Sequence, residues 1–227
     1  MPAMEESRFH LYLDSADLDE LRQCLPHPIV YGVTTNPTLL KRAGLGRAQL
    51  PDFTRACFDL GAQAVQTQVF SAAAEEMAAD AAALERLGAP GQIVIKIPIT
   101  REGLKAGARL IGEGVPVTFT AAYVLEQALF AAQMGAAYVA PYLGRLEDSG
   151  VDGLALIQKM QSVVARETDT TRLLVASIRS RAAFLSLLEL GVGAMTVPPK
   201  LFRELVNHES TLAAEAAFLA DADALPD

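Results

Sequence analysis

Histidine and cysteine are scarce in this chain of 227 residues, and tryptophan is absent. The three histidines, His10, His27 and His208, are scattered along the sequence, so a zinc or iron site built on imidazole ligands is not expected. Cys24 and Cys57 are far apart and form no CxxC pair. We interpret them as reduced thiols of a cytosolic protein, and we predict neither a metal site nor a cofactor.

Positive charge is also in short supply. Lys and Arg number 19 against 27 Asp and Glu, which gives a net charge of −8 and a sequence pI of about 4.9. This balance argues against nucleic acid or an anionic membrane as the main partner, although locally placed donors still suit a small anion. No run of about 18 apolar residues is present, and the first eight residues are polar, so we expect a cytoplasmic protein without a transmembrane helix.

Hairpin signals are missing as well, since no Asn-Gly or Asp-Gly pair joins two neighbouring apolar runs. The chain instead alternates short apolar or β-branched runs with longer Ala- and Leu-rich amphipathic segments. The eight runs occupy residues 9–14, 29–34, 64–70, 92–97, 115–119, 137–141, 172–177 and 194–198. Runs of this length are typical of strands buried on both faces, and strand–helix alternation favours parallel pairing with right-handed crossovers.

Eight strand–helix units in about 200 residues predict a single-domain α/β protein, a (β/α)8 TIM barrel. An open, doubly wound sheet is the alternative, but it usually carries a glycine-rich turn after its first strand, and residues 13–17 contain no glycine. We expect the barrel over about residues 9–206, followed by an extra C-terminal helix and tail over about 207–227. Helices are predicted at about 50–60, at 72–87 capped by Ser71, at 101–112 capped by Thr100, and at 121–134, 153–167 and 179–190.

Polar side chains stand at or just beyond the ends of all these runs except the last. In a barrel of this type, the carboxyl ends of the strands form the catalytic face, so these side chains should meet there. They are Asp14, Thr34, Asn36, Gln68, Lys96, Thr120, Tyr142, Arg145, Ser177 and Arg179. Each also has a simpler interpretation, such as a helix cap for Asp14 or Thr120, a turn for Asn36, or a core position for Tyr142.

Lys96 is the most unusual of these residues, because it interrupts the apolar segment 93–99 (IVIKIPI). A buried ammonium is costly, so such a lysine tends to lose its proton, and a neutral amine attacks carbonyl carbons. The alternative is a lysine that extends from a strand end to solvent. The first interpretation indicates Schiff-base chemistry, with Asp14, a tyrosine or a held water as the acid and base.

A candidate anion site lies late in the sequence. Arg145, Ser177 and Arg179 would place two guanidinium groups and a hydroxyl at neighbouring strand ends, which suits a phosphate monoester. Residues 177–181 (SIRSR) also open a predicted helix, whose N-terminus favours an anion. Surface arginines at helix starts are common, and that interpretation stays open.

Five segments together resemble the small transaldolases and fructose-6-phosphate aldolases, in the same order and over about residues 9–218. The segments are 11–14 (LYLD), 32–38 (GVTTNPT), 95–104 (IKIPITREGL), 138–145 (YVAPYLGR) and 176–179 (ASIR). The resemblance implies a Schiff base on Lys96, with Asp14 and Asn36 beside it, and we predict that Thr34 and Asn36 bind substrate. It implies a sugar phosphate held by Ser177, Arg145 and Arg179. It also implies a homo-oligomeric ring, a pentamer or decamer, in which the C-terminal helix packs on a neighbour.

Two activities compete within that family. Small transaldolases carry Glu where Gln68 stands and Phe where Tyr142 stands, whereas Gln68, Thr120 and Tyr142 resemble the trio around the catalytic water of the aldolases. The resemblance therefore favours cleavage of fructose 6-phosphate between C3 and C4, giving dihydroxyacetone and glyceraldehyde 3-phosphate. The alternative is transfer of the dihydroxyacetone unit to erythrose 4-phosphate, a reaction of the pentose phosphate pathway. A non-catalytic sugar-phosphate binder and an unrelated barrel isomerase are the hypotheses from other classes.

Overall fold

Eight parallel strands close into a barrel in sequence order, as the sequence predicts. A computed structural model describes residues 9–225, and in it β1 also pairs with β8. The strands are β1 His10–Asp14, β2 Val30–Thr34, β3 Ala64–Gln68, β4 Ile93–Pro98, β5 Val117–Ala122, β6 Tyr138–Pro141, β7 Arg172–Val175 and β8 Ala194–Val197. All eight predicted runs coincide with these strands to within a few residues.

Helices follow the strands and form the outer ring. They are α1 Leu18–Arg22, α2 Pro37–Arg42, α3 Leu50–Asp59, α4 Ala74–Glu85, α5 Arg101–Gly112, α6 Leu125–Gln133, α7 Leu143–Asp148, α8 Gly153–Glu167, α9 Arg181–Glu189, α10 Pro199–Val206 and α11 Glu209–Asp223. A 3-10 turn at Arg47–Gln49 leads into α3. No helix within residues 9–225 is long and apolar enough to cross a membrane.

Three predicted helices, α4, α6 and α9, begin two to four residues later than expected, whereas α3, α5 and α8 begin where the sequence predicts. Thr100 caps α5 as predicted, accepting the amide hydrogen of Gly103 at 3.0 Å. Ser71 does not cap α4, which begins three residues later, so that prediction was wrong. Helix α9 begins at Arg181 behind the cap Ser180, two residues after the predicted start.

Two apolar clusters stabilise the fold. The larger lies between the strands and the helices, where β-branched residues of the strands meet leucines and alanines of the outer ring. The smaller fills the barrel interior with alternate residues of six strands, including Tyr12, Val94 and Leu174. Gly32 lies at a crowded point of this interior, since a Cβ there would stand 2.1 Å from the Ala64 carbonyl oxygen. The barrel is therefore packed through its centre.

A layer of polar side chains lies within this packed interior, and we call it the inner layer: His10, Tyr12, Gln66, Thr118 and Tyr138. The Tyr138 hydroxyl is 2.6 Å from His10 Nδ1 and 2.9 Å from the Tyr12 hydroxyl. Thr118 donates to Gln66 Oε1 at 2.8 Å. These bonds satisfy groups that would otherwise be buried without partners.

The last helix, α11, follows α10 after a short connection. None of its described residues is buried, and Phe218 and Leu219 are 70% and 62% exposed. This helix therefore adds no residue to the barrel core.

Candidate active site

Lys96 projects from β4 into the barrel interior. It is 4% exposed, and its Nζ donates to the Thr35 carbonyl oxygen at 2.9 Å. Burial lowers the pKa of Lys96 below its usual 10.5, and the negative charge of Asp14 opposes that shift. A lysine in this environment reaches its neutral, nucleophilic form at a lower pH than an exposed lysine does.

Asp14 ends β1 close to Lys96. Burial raises the pKa of Asp14 above its usual 3.8, while the charge of Lys96 and a hydrogen bond from Thr34 lower it. The Thr34 hydroxyl donates to Asp14 Oδ1 at 2.7 Å. Because these influences oppose one another, the pKa of Asp14 rises less than burial alone would raise it.

Thr196 on β8 joins this group and was missed by the sequence analysis, which found no polar side chain for the last strand. Its hydroxyl is 2.6 Å from the Thr34 hydroxyl. Both threonines are buried. A single hydroxyl in the apolar segment 194–198 gives little signal in sequence, since threonine is an ordinary strand residue.

Thr120 and Tyr142 meet on the far side of Lys96. Their hydroxyl groups are 2.8 Å apart, and burial raises the pKa of Tyr142. The register of β5 against β6 shifts directly after Thr120, where Ala121 adopts a left-handed φ of 60°. Strand irregularities of this kind change the direction in which a side chain points, and they are common near active sites.

Gln68 ends β3 in register with Lys96 and is half-buried. No hydrogen bond links its side chain to Thr120 or Tyr142 in the described part of the chain. Two members of the expected trio are therefore brought together, and the third lies on the strand beside Lys96.

A cleft open to solvent lies over the carboxyl ends of the strands. Among its lining residues are Asp14, Asn36, Arg42, Lys96, Thr120, Tyr142, Arg145, Ser177 and Thr196. Most of the predicted site residues thus share one cleft, whereas Thr34, Gln68 and Arg179 do not line it. Arg42 was missed, because a cation in the last turn of a helix resembles a solvated residue that stabilises the helix dipole.

Asn36 caps a helix and also lies at the cleft. Its Oδ1 caps α2 by accepting the amide hydrogens of Thr38 and Leu39 at 3.0 and 3.1 Å. The same side chain lines the cleft. Since the cap uses the oxygen, the amide nitrogen is the atom available to a ligand.

The expected anion site is only partly assembled. Arg145 and Ser177 line the cleft, and Ser177 adopts a left-handed φ of 59°, which is uncommon for a residue other than glycine. Arg179 instead makes two 2.6 Å hydrogen bonds to the carboxylate of Asp148. It packs so closely on Gly144 that a Cβ there would lie 2.6 Å from Arg179 Nε.

Metal ligation has no candidate in residues 9–225, where no three His, Cys, Asp or Glu side chains are grouped to hold an ion. Cys24 and Cys57 are buried free thiols, and burial raises the pKa of Cys57 to about 12. The ionisable groups that converge on the cleft are therefore a lysine, a carboxylate, a phenol and two guanidiniums.

In parallel (β/α)8 barrels, active sites lie at the carboxyl ends of the strands. The cleft of this protein lies there and holds a buried lysine beside a carboxylate, which are the features of a barrel enzyme. The family described as "Transaldolase/Fructose-6-phosphate aldolase" matches residues 11–226. The chain belongs to this family and is an enzyme of it, which confirms the resemblance seen in the sequence.

Curated relatives agree with this assignment over nearly their full length. A protein named "Probable transaldolase" from Clostridium kluyveri is 35% identical over 96% of this chain and 99% of its own. Another of that name from Coprothermobacter proteolyticus is 37% identical, over 95% and 97%. A third, from Thermoplasma acidophilum, is 35% identical over 93% and 94%.

Solved structures show likeness in fold alone. A flavocytochrome b2 mutant superposes with a TM-score of 0.61 at 14% identity, covering 86% of this chain and 57% of its own. A mandelate oxidase mutant gives a TM-score of 0.60 at 16% identity, covering 85% and 65%. This chain thus spans less than two thirds of either, and both likenesses concern the barrel.

Proposed function

We propose that the protein is a Schiff-base aldolase that cleaves fructose 6-phosphate into dihydroxyacetone and glyceraldehyde 3-phosphate. The observation that carries the proposal is the position of Lys96, buried beside Asp14 in the cleft, with its pKa lowered by that burial. A buried amine that is readily neutral has the reactivity needed to form an iminium with a ketone.

The proposed reaction begins when Lys96 Nζ attacks C2 of the open-chain ketose. Loss of the C2 oxygen as water, after proton transfer, gives the iminium. A base removes the C4 hydroxyl proton, the C3–C4 bond breaks, and its electron pair moves into the iminium to form an enamine. Glyceraldehyde 3-phosphate leaves as the aldehyde.

Release of the remaining three carbons completes the cycle. The enamine takes a proton at C3, and water adds to C2 of the resulting iminium. The C2–N bond then breaks, which frees dihydroxyacetone and returns Lys96 as an amine. Asp14 is the group in closest electrostatic contact with Lys96, and we assign it the proton transfers at the iminium nitrogen and C2 oxygen.

The Thr120–Tyr142 pair favours the aldolase, in which water hydrolyses the three-carbon iminium, over the transaldolase, in which the three-carbon unit passes to an aldose. Two hydroxyl groups 2.8 Å apart at the cleft provide donors and acceptors that can hold a water, and Gln68 on the neighbouring strand would be the third member. The names of the relatives favour the second candidate, a transaldolase that passes the three-carbon unit to erythrose 4-phosphate.

The phosphate would sit at the Arg145 and Ser177 side of the cleft. Arg145 forms no ion pair with any described residue, so its guanidinium can pair with an anion without first losing a carboxylate partner. Arg179 would contribute from the rim, either by leaving Asp148 or by sharing its donors with both anions.

An oligomeric ring, pentamer or decamer, is the assembly we propose, with α11 packing on a second copy. Leu212, Phe218 and Leu219 of this helix are exposed large apolar residues, which a neighbouring chain would cover. The mass in solution, measured by light scattering for the wild type and for a chain shortened before α11, tests this arrangement.

A product assay tests the activity. Fructose 6-phosphate is supplied with and without erythrose 4-phosphate, and free dihydroxyacetone and sedoheptulose 7-phosphate are quantified. The aldolase proposal expects dihydroxyacetone in the absence of an acceptor. Turnover only in the presence of erythrose 4-phosphate would instead establish the transaldolase, and no turnover in either case would contradict both.

A further inference from the structure

We infer that Thr196 is a positioning residue for Asp14, acting through Thr34 as a two-hydroxyl relay that keeps the carboxyl group hydrogen-bonded in both of its protonation states. This inference rests on the proposed function, in which Asp14 exchanges protons during turnover. Thr196 lies far from Lys96 and Asp14 in sequence and is brought to them by closure of the barrel.

The relay crosses three adjacent strands. Strand β1 lies between β8 and β2, with Asp14 opposite Thr34 and Thr196 two residues lower on the other side. The Thr196 and Thr34 hydroxyl oxygens are 2.6 Å apart, and Thr34 Oγ1 is 2.7 Å from Asp14 Oδ1. Both separations lie within the usual range for hydroxyl hydrogen bonds, and both threonines are at most 2% exposed.

The direction of each bond follows from the number of hydrogens. An ionised carboxylate only accepts, so Thr34 gives its one hydrogen to Asp14 and must accept from Thr196. When Oδ1 of Asp14 carries the proton, the chain reverses. Asp14 then donates to Thr34, Thr34 donates to Thr196, and the Thr196 hydrogen turns towards the cleft that this residue lines.

Removing the Thr196 hydroxyl would impair both states. The ionised form would lose the donor that polarises the Thr34 hydroxyl, which weakens the bond to the carboxylate. The protonated form would leave the Thr34 hydrogen facing a methyl group, which is an unsatisfied buried donor. Thr196 therefore influences the ease with which Asp14 changes state without touching the carboxylate itself.

Other charged and titratable groups lie near Asp14, and their charges can also affect its pKa. From the cleft these are Lys96, Tyr142, Arg42 and Arg145, and from the α1 side Asp17 and Glu20. Lys96 favours the ionised form and burial favours the protonated form. None of these groups contacts Thr196 through a hydrogen bond in the described chain, so a substitution at 196 leaves them in place.

The test compares Thr196→Val, which keeps the shape and removes the hydroxyl, with Thr196→Ser, which keeps the hydroxyl. A matched control is Thr67→Val, because Thr67 is equally buried in the barrel wall and its hydroxyl has no partner. The measurements are the carboxyl titration of Asp14 by 13C NMR in the ligand-free protein and the pH profile of kcat for fructose 6-phosphate cleavage.

Thr196→Val should lower the pKa of Asp14, because the protonated form is left with an unsatisfied buried donor whereas the ionised form keeps its hydrogen bond from Thr34. The value of kcat should fall by about 3- to 10-fold, the range for one buried hydrogen bond, with KM within about two-fold of wild type. Thr196→Ser and Thr67→Val should resemble the wild type in both measurements. The NMR titration requires no turnover, so it decides the relay even if the wild type proves inactive on fructose 6-phosphate.

Two results would overturn the relay. One is an Asp14 titration in Thr196→Val that matches the wild type. The other is a Thr196→Ser protein that behaves as Thr196→Val does, since that would show that the methyl group and not the hydroxyl matters. Thermal melting of each variant separates these outcomes from a general loss of folding.

Discussion

The barrel interior holds two polar groups of residues that differ in what surrounds them. The inner layer holds hydroxyl, imidazole and amide groups that are hydrogen-bonded within the set His10, Tyr138 and Tyr12 and within the pair Thr118 and Gln66. The pKa of Tyr12 there is raised well above 10 by burial and by Tyr138. The group around Lys96 lies at the cleft and pairs an amine with a carboxylate whose pKa values shift in opposite directions.

In the proposed mechanism, this difference separates a structural polar network from a reactive one. The Tyr12 phenol stays neutral throughout the physiological range, so it holds neighbours in place without exchanging protons. Lys96 and Asp14 are each shifted towards neutrality by burial while each favours the charge of the other. Opposing influences at a solvent-accessible cleft are the features expected of acid–base and nucleophilic chemistry.

Lys96→Met is expected to have the largest effect on the reactive group. Methionine has no amine, so turnover should fall on the order of 10⁴-fold or more, as when a covalent nucleophile is removed. The substitution replaces a buried amine by an apolar side chain of similar length, so the thermal unfolding transition should remain cooperative. Turnover of Lys96→Met within ten-fold of wild type would contradict the Schiff-base mechanism. Lys96→Arg should be as inactive as Lys96→Met, because a guanidinium stays charged and does not attack a carbonyl.

Arg145→Gln should come next in effect, and only on phosphorylated substrates. Losing a charge-assisted hydrogen bond to phosphate should lower kcat/KM by about 10- to 150-fold for glyceraldehyde 3-phosphate as acceptor, with little change for glyceraldehyde. Arg179→Gln should cost less, because its guanidinium is already paired with Asp148. Equal losses on both acceptors would mean that Arg145 has a structural role.

Tyr142→Phe combined with Gln68→Glu should redirect the reaction. Phenylalanine cannot hold water with Thr120, so the three-carbon enamine should live longer and wait for an aldose. We expect the ratio of sedoheptulose 7-phosphate to free dihydroxyacetone to rise by about ten-fold, as for one lost water-ordering bond. An unchanged ratio would show that the Thr120–Tyr142 pair does not promote hydrolysis of the three-carbon intermediate.

Thr118→Val tests whether the inner layer serves stability alone, and it should have the smallest effect on activity of these variants. It leaves Gln66 Oε1 without the 2.8 Å donor, so stability should fall by about 1–3 kcal/mol. The value of kcat should stay within about two-fold, because neither residue lines the cleft. A large loss of kcat with unchanged unfolding would place the inner layer in the catalytic machinery.

The barrel and the buried position of Lys96 could be predicted from the sequence because both signals are local. Each strand is a short buried run, and a lysine within such a run stands out. Thr196 and Arg42 carry no local signal, since their importance comes from Thr34 and from the cleft, both remote in sequence. The Arg179–Asp148 pair likewise depends on how two loops meet, which residue types alone do not define.

The central claim, that Lys96 is the covalent lysine, is tested most directly by borohydride trapping with dihydroxyacetone followed by peptide mass mapping. We expect irreversible mass addition at Lys96 and at none of the other four lysines. The neutral amine reacts, so the trapping rate should rise with pH, and the midpoint of that rise should lie below the pKa of an exposed lysine, because burial lowers the pKa of Lys96. An adduct on another lysine, or undiminished trapping in Lys96→Met, would contradict the account.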